Sequence, residues 1–342
     1  VLVPLEVDPG QAPAAWDEAV CQCGGSVFHS SAWAGYVTRR QLNTSPVRFR
    51  WLGAHGETVG VALGFRTRSP NRFTGPLTSR LWFDAWPAVR GVPGAADAFL
   101  DAIEQHARAA GDVELAFGSF AHRGGADLPR ERHYSLHERL EFELDLRPGL
   151  DDLFHALEAK RRRNVSKSRR LGVVVDTPPT EEGLVALHRL RAMTWNRLRE
   201  KGVAMPRPDD LQGPAERVLL DAGVARLVGA RLGGTWIAVT LFTCFAGQAY
   251  QMLPAHAPEA LEVQAPTLLL WESLARFKAE GVQWFNLGGC SASARNPDDP
   301  EHGVYNYKRA FGGACLECAS GRLVLKPVRM ALAHALRRIV GR

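Results

Sequence analysis

The sequence predicts an α/β protein with mixed sheets, arranged as two tandem domains of similar build. Its 342 residues correspond to about two domains of ordinary size. A hydrophobic share of 46% beside 23% charged residues is that of a globular chain able to bury substantial cores. The same order of elements occurs in each half: a hairpin, an apolar-striped helix stopped by glycine, then a strand, offset by about 170 residues. A repeat of that length points to duplication of a whole domain.

In the first half, apolar alternation predicts strands over Val47 to Leu52 and Thr58 to Phe65, joined through His55-Gly56-Glu57. A helix follows from Ala95 to Ala110, with Phe99, Leu100, Ile103 and His106 at helical spacing and Gly111 as its stop. The strand Val113 to Phe120 comes next. In the second half, Val224 to Arg231 and Thr235 to Phe245 form a hairpin around Gly233-Gly234, and Gln248 to Leu253 adds a strand. A helix from Pro266 to Ala279 carries Leu269, Leu270, Leu274 and Phe277, Gly281 ends it, and a strand runs from Gln283 to Leu287.

These elements set domains at 1–146 and 147–342. A connecting helix is expected over 151–171, with Leu153, Phe154 and Leu157 on its apolar side, Asp151 and Asp152 at its positive end, and Gly172 closing it. Val173-Val174-Val175 then reads as a buried strand. A last helix, 327–342, has Val328, Leu332, Leu336 and Ile339 opposed by Arg329, Arg337 and Arg338, and is expected to pack on the second domain.

The formal charge of +6 is concentrated. Lys160, Arg161, Arg162, Arg163, Lys167, Arg169 and Arg170 outweigh the excess of the whole chain. Such a cluster with little aromatic interleaving suits the phosphates of a nucleic acid rather than its bases, and a solvated helix face is the plainer alternative. No run approaches the roughly 18 apolar residues that a membrane helix needs, and Val1-Leu2-Val3-Pro4-Leu5-Glu6 lacks a basic segment followed by an apolar core, so a cytoplasmic protein is expected. The close cysteine pairs, Cys21/Cys23 and Cys315/Cys318, have poor zinc-ligand spacing, and reduced thiols with no metal are expected. Ser291, Ser293, His256 and His302 fall near loops without a Gly-x-Ser-x-Gly elbow, which disfavours a hydrolase.

Four features of the second half remain: the basic helix running into Leu171-Gly172-Val173-Val174-Val175, Met193-Thr194-Trp195-Asn196-Arg197, Phe285-Asn286-Leu287-Gly288-Gly289, and Tyr305-Asn306-Tyr307-Lys308-Arg309-Ala310-Phe311-Gly312-Gly313. In this order they resemble the FemABX family of aminoacyl-tRNA-dependent peptidyltransferases, the last motif most specifically. The resemblance covers roughly residues 150–325 and implies two tandem GNAT-like acyltransferase domains. The coiled-coil arm of some members has no counterpart.

The reaction implied is transfer of an aminoacyl group from charged tRNA to an amine of a cell-wall (peptidoglycan) precursor or of a small-molecule, antibiotic-type scaffold. The ester on tRNA is already activated, so alignment and oxyanion stabilisation suffice and no cofactor is implied beyond the co-substrate aminoacyl-tRNA. By resemblance, Lys308 would be catalytic, stabilising the tetrahedral intermediate or the departing ribose oxygen; a lysine snorkelling over aromatic rings is the plain alternative. Asn286 and Gly288 at a strand end, and Tyr250 and Gln251 at another, are pocket candidates. Tyr305 and Tyr307 read as packing residues of a strand, with Asn306 and Phe311 lining the pocket or packing. By resemblance, Arg197, with Thr194 one turn away, would lie near an anionic acceptor whose diphosphate a guanidinium could bind; an arginine facing solvent from its helix is the plain alternative.

Two further readings stay open. An acyl-CoA-dependent N-acyltransferase would use the same fold, but a Gln/Arg-x-x-Gly-x-Gly/Ala phosphate loop is missing. Pro254-Ala255-His256-Ala257-Pro258-Glu259 and Arg90-Gly91-Val92-Pro93-Gly94-Ala95 stand where it would lie. A non-catalytic RNA-binding protein would explain the basic helix but not the Tyr307-Lys308 motif.

Overall fold

The computed structural model describes residues 5–8, 10, 12–69, 75–90, 95–120, 133–200, 202 and 214–340. The chain divides into two compact units, 1–138 with 318–342, and 139–317. In the first unit the order is β1 (Leu5–Val7), α1 (Pro13–Gln22), α2 (Ser31–Arg40), β2 (Thr44–Leu52), β3 (Thr58–Thr67), α3 (Gly75–Thr78), β4 (Arg80–Phe83), β5 (Ala88–Val89), α4 (Ala95–Ala109) and β6 (Glu114–Phe117). Strands β1 to β4 pair antiparallel in chain order, β5 pairs with β3, and β4 runs parallel to β6. The α4 stripe of Phe99, Leu100, Ile103 and Ala107 is buried in a core with Phe49, Trp51 and Phe117, as its helical spacing demands.

The chain enters the second unit along β7 (Ser135–Asp145) and continues through α5 (Leu150–Ala156), α6 (Ala159–Arg170), β8 (Val174–Asp176), α7 (Thr180–Glu200), α8 (Glu216–Asp221), β9 (Ala225–Leu232), β10 (Thr235–Phe245), β11 (Gln248–His256), α9 (Pro258–Glu262), α10 (Ala265–Ala279), β12 (Trp284–Ser291) and α11 (His302–Arg309). The sheet order is β7-β12-β11-β10-β9-β8. Its pairs are antiparallel except β11 with β12. The core gathers Phe142, Phe242, Phe277, Phe285 and Phe311 with the Leu268-Leu269-Leu270 run of α10. Strand β10 is buried from Trp236 to Thr243, which shows a strand covered on both faces.

Several expectations are corrected. The helix expected over 151–171 is broken, because Leu157 and Glu158 have extended backbones (ψ 140° and 143°). Leu157 is buried, and the Glu158 amide donates to Ala310 O at 3.0 Å. Arg162 turns back to the His155 and Leu157 carbonyls, supplying donors to the end of α5. Val174 is 49% exposed, since β8 is an edge strand paired only to β9 along the sheet order. The boundary falls at 138/139 rather than 146/147. Strand β13 (Ala314–Val324) carries the chain back, its Gly321 to Val324 pairing with Phe117 to Glu114 of β6. The last helix, α12 (Pro327–Val340), therefore belongs to the first unit. There Val328 and Leu332 are 81% and 49% exposed instead of packed, and the side chains of Leu336, Arg337, Arg338 and Ile339 lie outside the described residues, as does the stretch 91–94.

Candidate functional site

The parallel pairing of β11 with β12 ends at Tyr250↔Asn286, while β11 runs on to His256 against β10. On its other side β12 shifts register against β7 between Asn286, opposite Glu143, and Gly289, opposite Glu141. Two adjacent glycines make this possible. Gly288 has φ +68°, and a Cβ on Gly289 would lie 2.1 Å from Leu140 O, so each position excludes a side chain. In the first unit the parallel pair stays joined beyond Phe83↔Phe117, with Gly118 N donating to Phe83 O at 2.6 Å and Phe120 N to Asp84 O at 3.2 Å. Strands that part at their carboxyl ends are a ligand site in α/β sheets.

Around Gly288 the site is polar. A Cβ placed there would be 3.3 Å from Lys308 Nζ, 3.4 Å from Gln251 O and 3.5 Å from Tyr250 Oη. Lys308 reaches this point from α11 and donates to Gly289 O at 2.9 Å. Burial pulls its ammonium down to about 8, with Arg139 acting in the same direction and Glu141 and Glu301 against it. Behind it lies Glu141, wholly buried. Its Oε1 accepts from Tyr250 Oη at 3.1 Å and its Oε2 from Asn286 Nδ2 at 2.8 Å, and Arg139 lies 3.4 Å away. Burial raises the Glu141 carboxyl despite these partners and pushes the Tyr250 phenol well above its usual value. Asn286 Oδ1 accepts from Gly288 N at 2.7 Å, fixing the bulge. The Cys290 thiol is pushed up to about 11 by burial and is no nucleophile.

Tyr305 and Tyr307 are on a helix, not on a strand. Strand β12 reaches Ser291, and the chain turns into α11 at His302. Tyr305 packs on Phe142 with ring centroids 5.7 Å apart, and Phe311 is fully buried. Asn306 Nδ2 meets His302 Nε2 at 2.7 Å, one helical turn away. Tyr307 packs on Phe311 and carries the Arg161 guanidinium 4.6 Å from its ring. These four residues support α11, and the polar ring is made by Lys308, Gly288, Tyr250, Gln251 and Asn286.

The basic residues of α6 differ in their engagement. Arg162 caps α5, Arg161 covers Tyr307, Arg169 pairs with Glu272 at 2.5 Å, and Lys167 Nζ donates to Glu262 O at 3.0 Å. The side chains of Lys160, Arg163 and Arg170 make no ion pair or hydrogen bond among the described residues. Between α5 and α6 lies a cavity of about 600 Å³ whose lining includes Phe154, His155, Arg162, Arg163, Lys167 and Arg170, with no acidic residue in its wall.

Thr194 and Arg197 form a separate group at the end of β11. Thr194 Oγ1 donates to His256 O and accepts from His256 N, each at 3.1 Å. The Arg197 guanidinium lies 3.2 Å from both ring nitrogens of His256. Burial, then Arg197, brings His256 down to about 4, so the imidazole is neutral and does not compete for an anion. Arg197 has no acidic partner among the described residues. Among those residues no cluster of His, Cys, Asp or Glu is suited to a metal ion, and no helix is long and apolar enough to cross a membrane.

Glu141, Arg139 and the support of His256 for Arg197 escaped the sequence reading. The available signal was Arg139-Leu140-Glu141-Phe142-Glu143-Leu144, whose glutamates alternate with apolar residues. In a sheet covered on both faces, such glutamates are buried.

The model of the acetyltransferase (GNAT) domain family matches residues 157–309. No curated protein matches. Among solved structures, the chain is similar to FemX, at 14% identity and TM-score 0.72 over 98% of this chain and 100% of that one. It is also similar to L-PGS from Bacillus licheniformis, at 15%, TM-score 0.56 and coverage of 96% and 97%, and to a tandem GNAT protein from the clavulanic acid biosynthesis pathway, at 14%, TM-score 0.50 and coverage of 94% and 99%. The chain thus has a FemX-like tandem-GNAT fold, and residues 157–309 of its second half match the acetyltransferase (GNAT) domain model.

Proposed function

We propose that this protein forms amide bonds by moving an aminoacyl group from charged tRNA to an amine. The observation that carries the reading is Lys308, an ammonium held beside the parted strands at the missing side chain of Gly288. As the amine attacks the ester, the carbonyl oxygen becomes an oxyanion and the ribose oxygen leaves; a fixed cation in low-dielectric surroundings favours both charges. Tyr250, Gln251 and Asn286 would line the reacting groups. Arg163, Lys167 and Arg170, around the cavity beside α6, would take tRNA phosphates, together with Lys160 on the same helix. Arg161, Arg162 and Arg169 hold the protein's own groups and would act through the shape of that cavity. Arg197, steadied by His256 and Thr194, would take an anionic group of the acceptor, such as a diphosphate on a cell-wall precursor or a phosphate on a smaller scaffold.

An acyl-CoA donor is the second reading, favoured by the match to the acetyltransferase (GNAT) family model. Against it, β11 leads into α9, a short helix with Pro258 at its start and Glu259 in its first turn. A missing N–H and a carboxylate are poor partners for a pyrophosphate. The test is a donor comparison: purified protein and a panel of amines with either aminoacyl-tRNA or acyl-CoA, with RNase in parallel. Product that requires tRNA and vanishes with RNase is expected; product that survives RNase and requires CoA would replace the first reading with the second.

A further inference from the structure

Of the acids buried in the second unit, Glu141 is wholly covered, while Glu143 and Glu216 keep a little exposure. A fully covered carboxylate costs stability unless it is well paired, and Glu141 sits in the middle of the sheet, away from any helix end. Its partners come from every element around it: Arg139 on its own strand, Tyr250 on β11, Asn286 on β12, and the Lys308 ammonium from α11. Tyr250 Oη gives its proton to Glu141 Oε1 and stands beside the point at Gly288 that Lys308 Nζ also adjoins. Because Gly288 has no side chain, Gln251 O, Tyr250 Oη and Lys308 Nζ all face the position a Cβ would take, at 3.3–3.5 Å from it, and an amine docked over Gly288 would meet the three groups together.

The geometry points to a proton relay in which Tyr250 and Glu141 take the proton released by the attacking amine. The inference rests on the amide-forming reaction proposed above. The amine nitrogen bonds to the ester carbonyl carbon, and its surplus proton passes to Tyr250 Oη as the phenol proton passes to Glu141 Oε1. The carbon–oxygen bond to the ribose breaks, and the leaving oxygen takes a proton from Lys308 Nζ. One amide and one ribose hydroxyl result, Glu141 is left protonated and Lys308 neutral, and exchange with solvent restores both. Burial makes the carboxylate a better base and the ammonium a better acid, the divergence that an acid–base pair requires. Tyr250 contacts the substrate in this scheme, and Glu141 acts through it as a positioning and proton-accepting residue.

The test uses the full chain with Glu141→Gln, Glu141→Asp, Tyr250→Phe and the Glu141→Gln/Tyr250→Phe double variant. Expected are a fall in kcat of about a hundredfold or more for Glu141→Gln and Tyr250→Phe, little change in KM for the donor, partial recovery in Glu141→Asp, and a double variant no slower than the singles. The acid limb of the kcat/KM profile should vanish in Glu141→Gln. Rates within threefold of wild type, or an acid limb that persists, would overturn the relay. If acyl-CoA proves to be the donor, the same variants are assayed with it. The relay then stands or falls separately from the tRNA reading, because the amine loses its proton in either reaction. A measurement independent of turnover uses acylation of Lys308 by a small amine-reactive reagent against pH, read by mass spectrometry. Its midpoint should move below that of the wild type in Glu141→Gln, since a negative neighbour is removed; an unmoved midpoint refutes an ionised Glu141 facing Lys308.

Discussion

Replacing Lys308 by Met should abolish amide formation without destabilising the protein at neutral pH. A fall of its ammonium from 10.5 to about 8 corresponds to about 3 kcal/mol of disfavoured charge in the fold, and partial exposure to solvent trims this to about 2 kcal/mol. Methionine removes that penalty and keeps the length of the side chain. It also leaves Gly289 O without its donor, at a cost of about 1 kcal/mol. The variant should therefore equal or exceed the wild type by about 1 kcal/mol at pH 7. Between pH 8 and 10.5 the unfolded wild-type chain retains the lysine proton while the folded chain releases it, so wild-type stability rises with pH through that window. The difference between the two proteins should change steadily in favour of the wild type until about pH 10.5. Urea denaturation of both proteins at several pH values, beside the transfer assay, measures each part. A Lys308→Met protein less stable by more than about 2 kcal/mol at pH 7, with no change in that deficit up to pH 10.5, would make Lys308 a structural residue.

Gly288→Ala should cost about 1–2 kcal/mol for its φ of +68°, and it should lower turnover far more than stability because its methyl group occupies the point between Lys308 and Tyr250. Gly289→Ala should fail to fold by circular dichroism, given 2.1 Å to a backbone oxygen. For α6, Arg163→Gln/Lys167→Gln/Arg170→Gln should reduce the slope of log K against log salt for tRNA by about one for each phosphate no longer neutralised. Arg162→Gln should chiefly lower the thermal midpoint, since its donors serve the carbonyls of α5. Arg197→Lys should raise the acceptor KM with kcat little changed, because a point charge cannot reproduce the guanidinium fork seated on His256.

The strands and helices that carry these residues were largely legible in the amino-acid order. The hairpin Thr235 to Phe245, the helix ending at Ala279 and the repeat of hairpin, helix and strand follow from periodicity, because one face of each element must be buried. Lys308 was found through its motif, and its neighbours Tyr250 and Gly288 through strand ends. The misplaced elements share a cause. Leu157-Glu158 contains neither proline nor glycine, and only the docking of Leu157 in the core and of the Glu158 amide on Ala310 breaks the helix there. Val173-Val174-Val175 has the composition of an interior strand, yet pairing order puts it at an edge.

Local order thus determined the two α/β halves, the basic cluster and the lysine motif, since propensity and periodicity act over a few residues. Tertiary structure alone decided that α12 returns to the first unit, that Arg161, Arg162, Lys167 and Arg169 engage the protein itself while Arg163 and Arg170 face a cavity without a partner, and that Glu141 is buried. Each of those depends on which strand lies beside which. A glutamate alternating with leucine and phenylalanine has the same local signature in a solvated strand as in a covered one, and only the packing of the sheet brings it to Tyr250, Asn286 and the environment of Lys308.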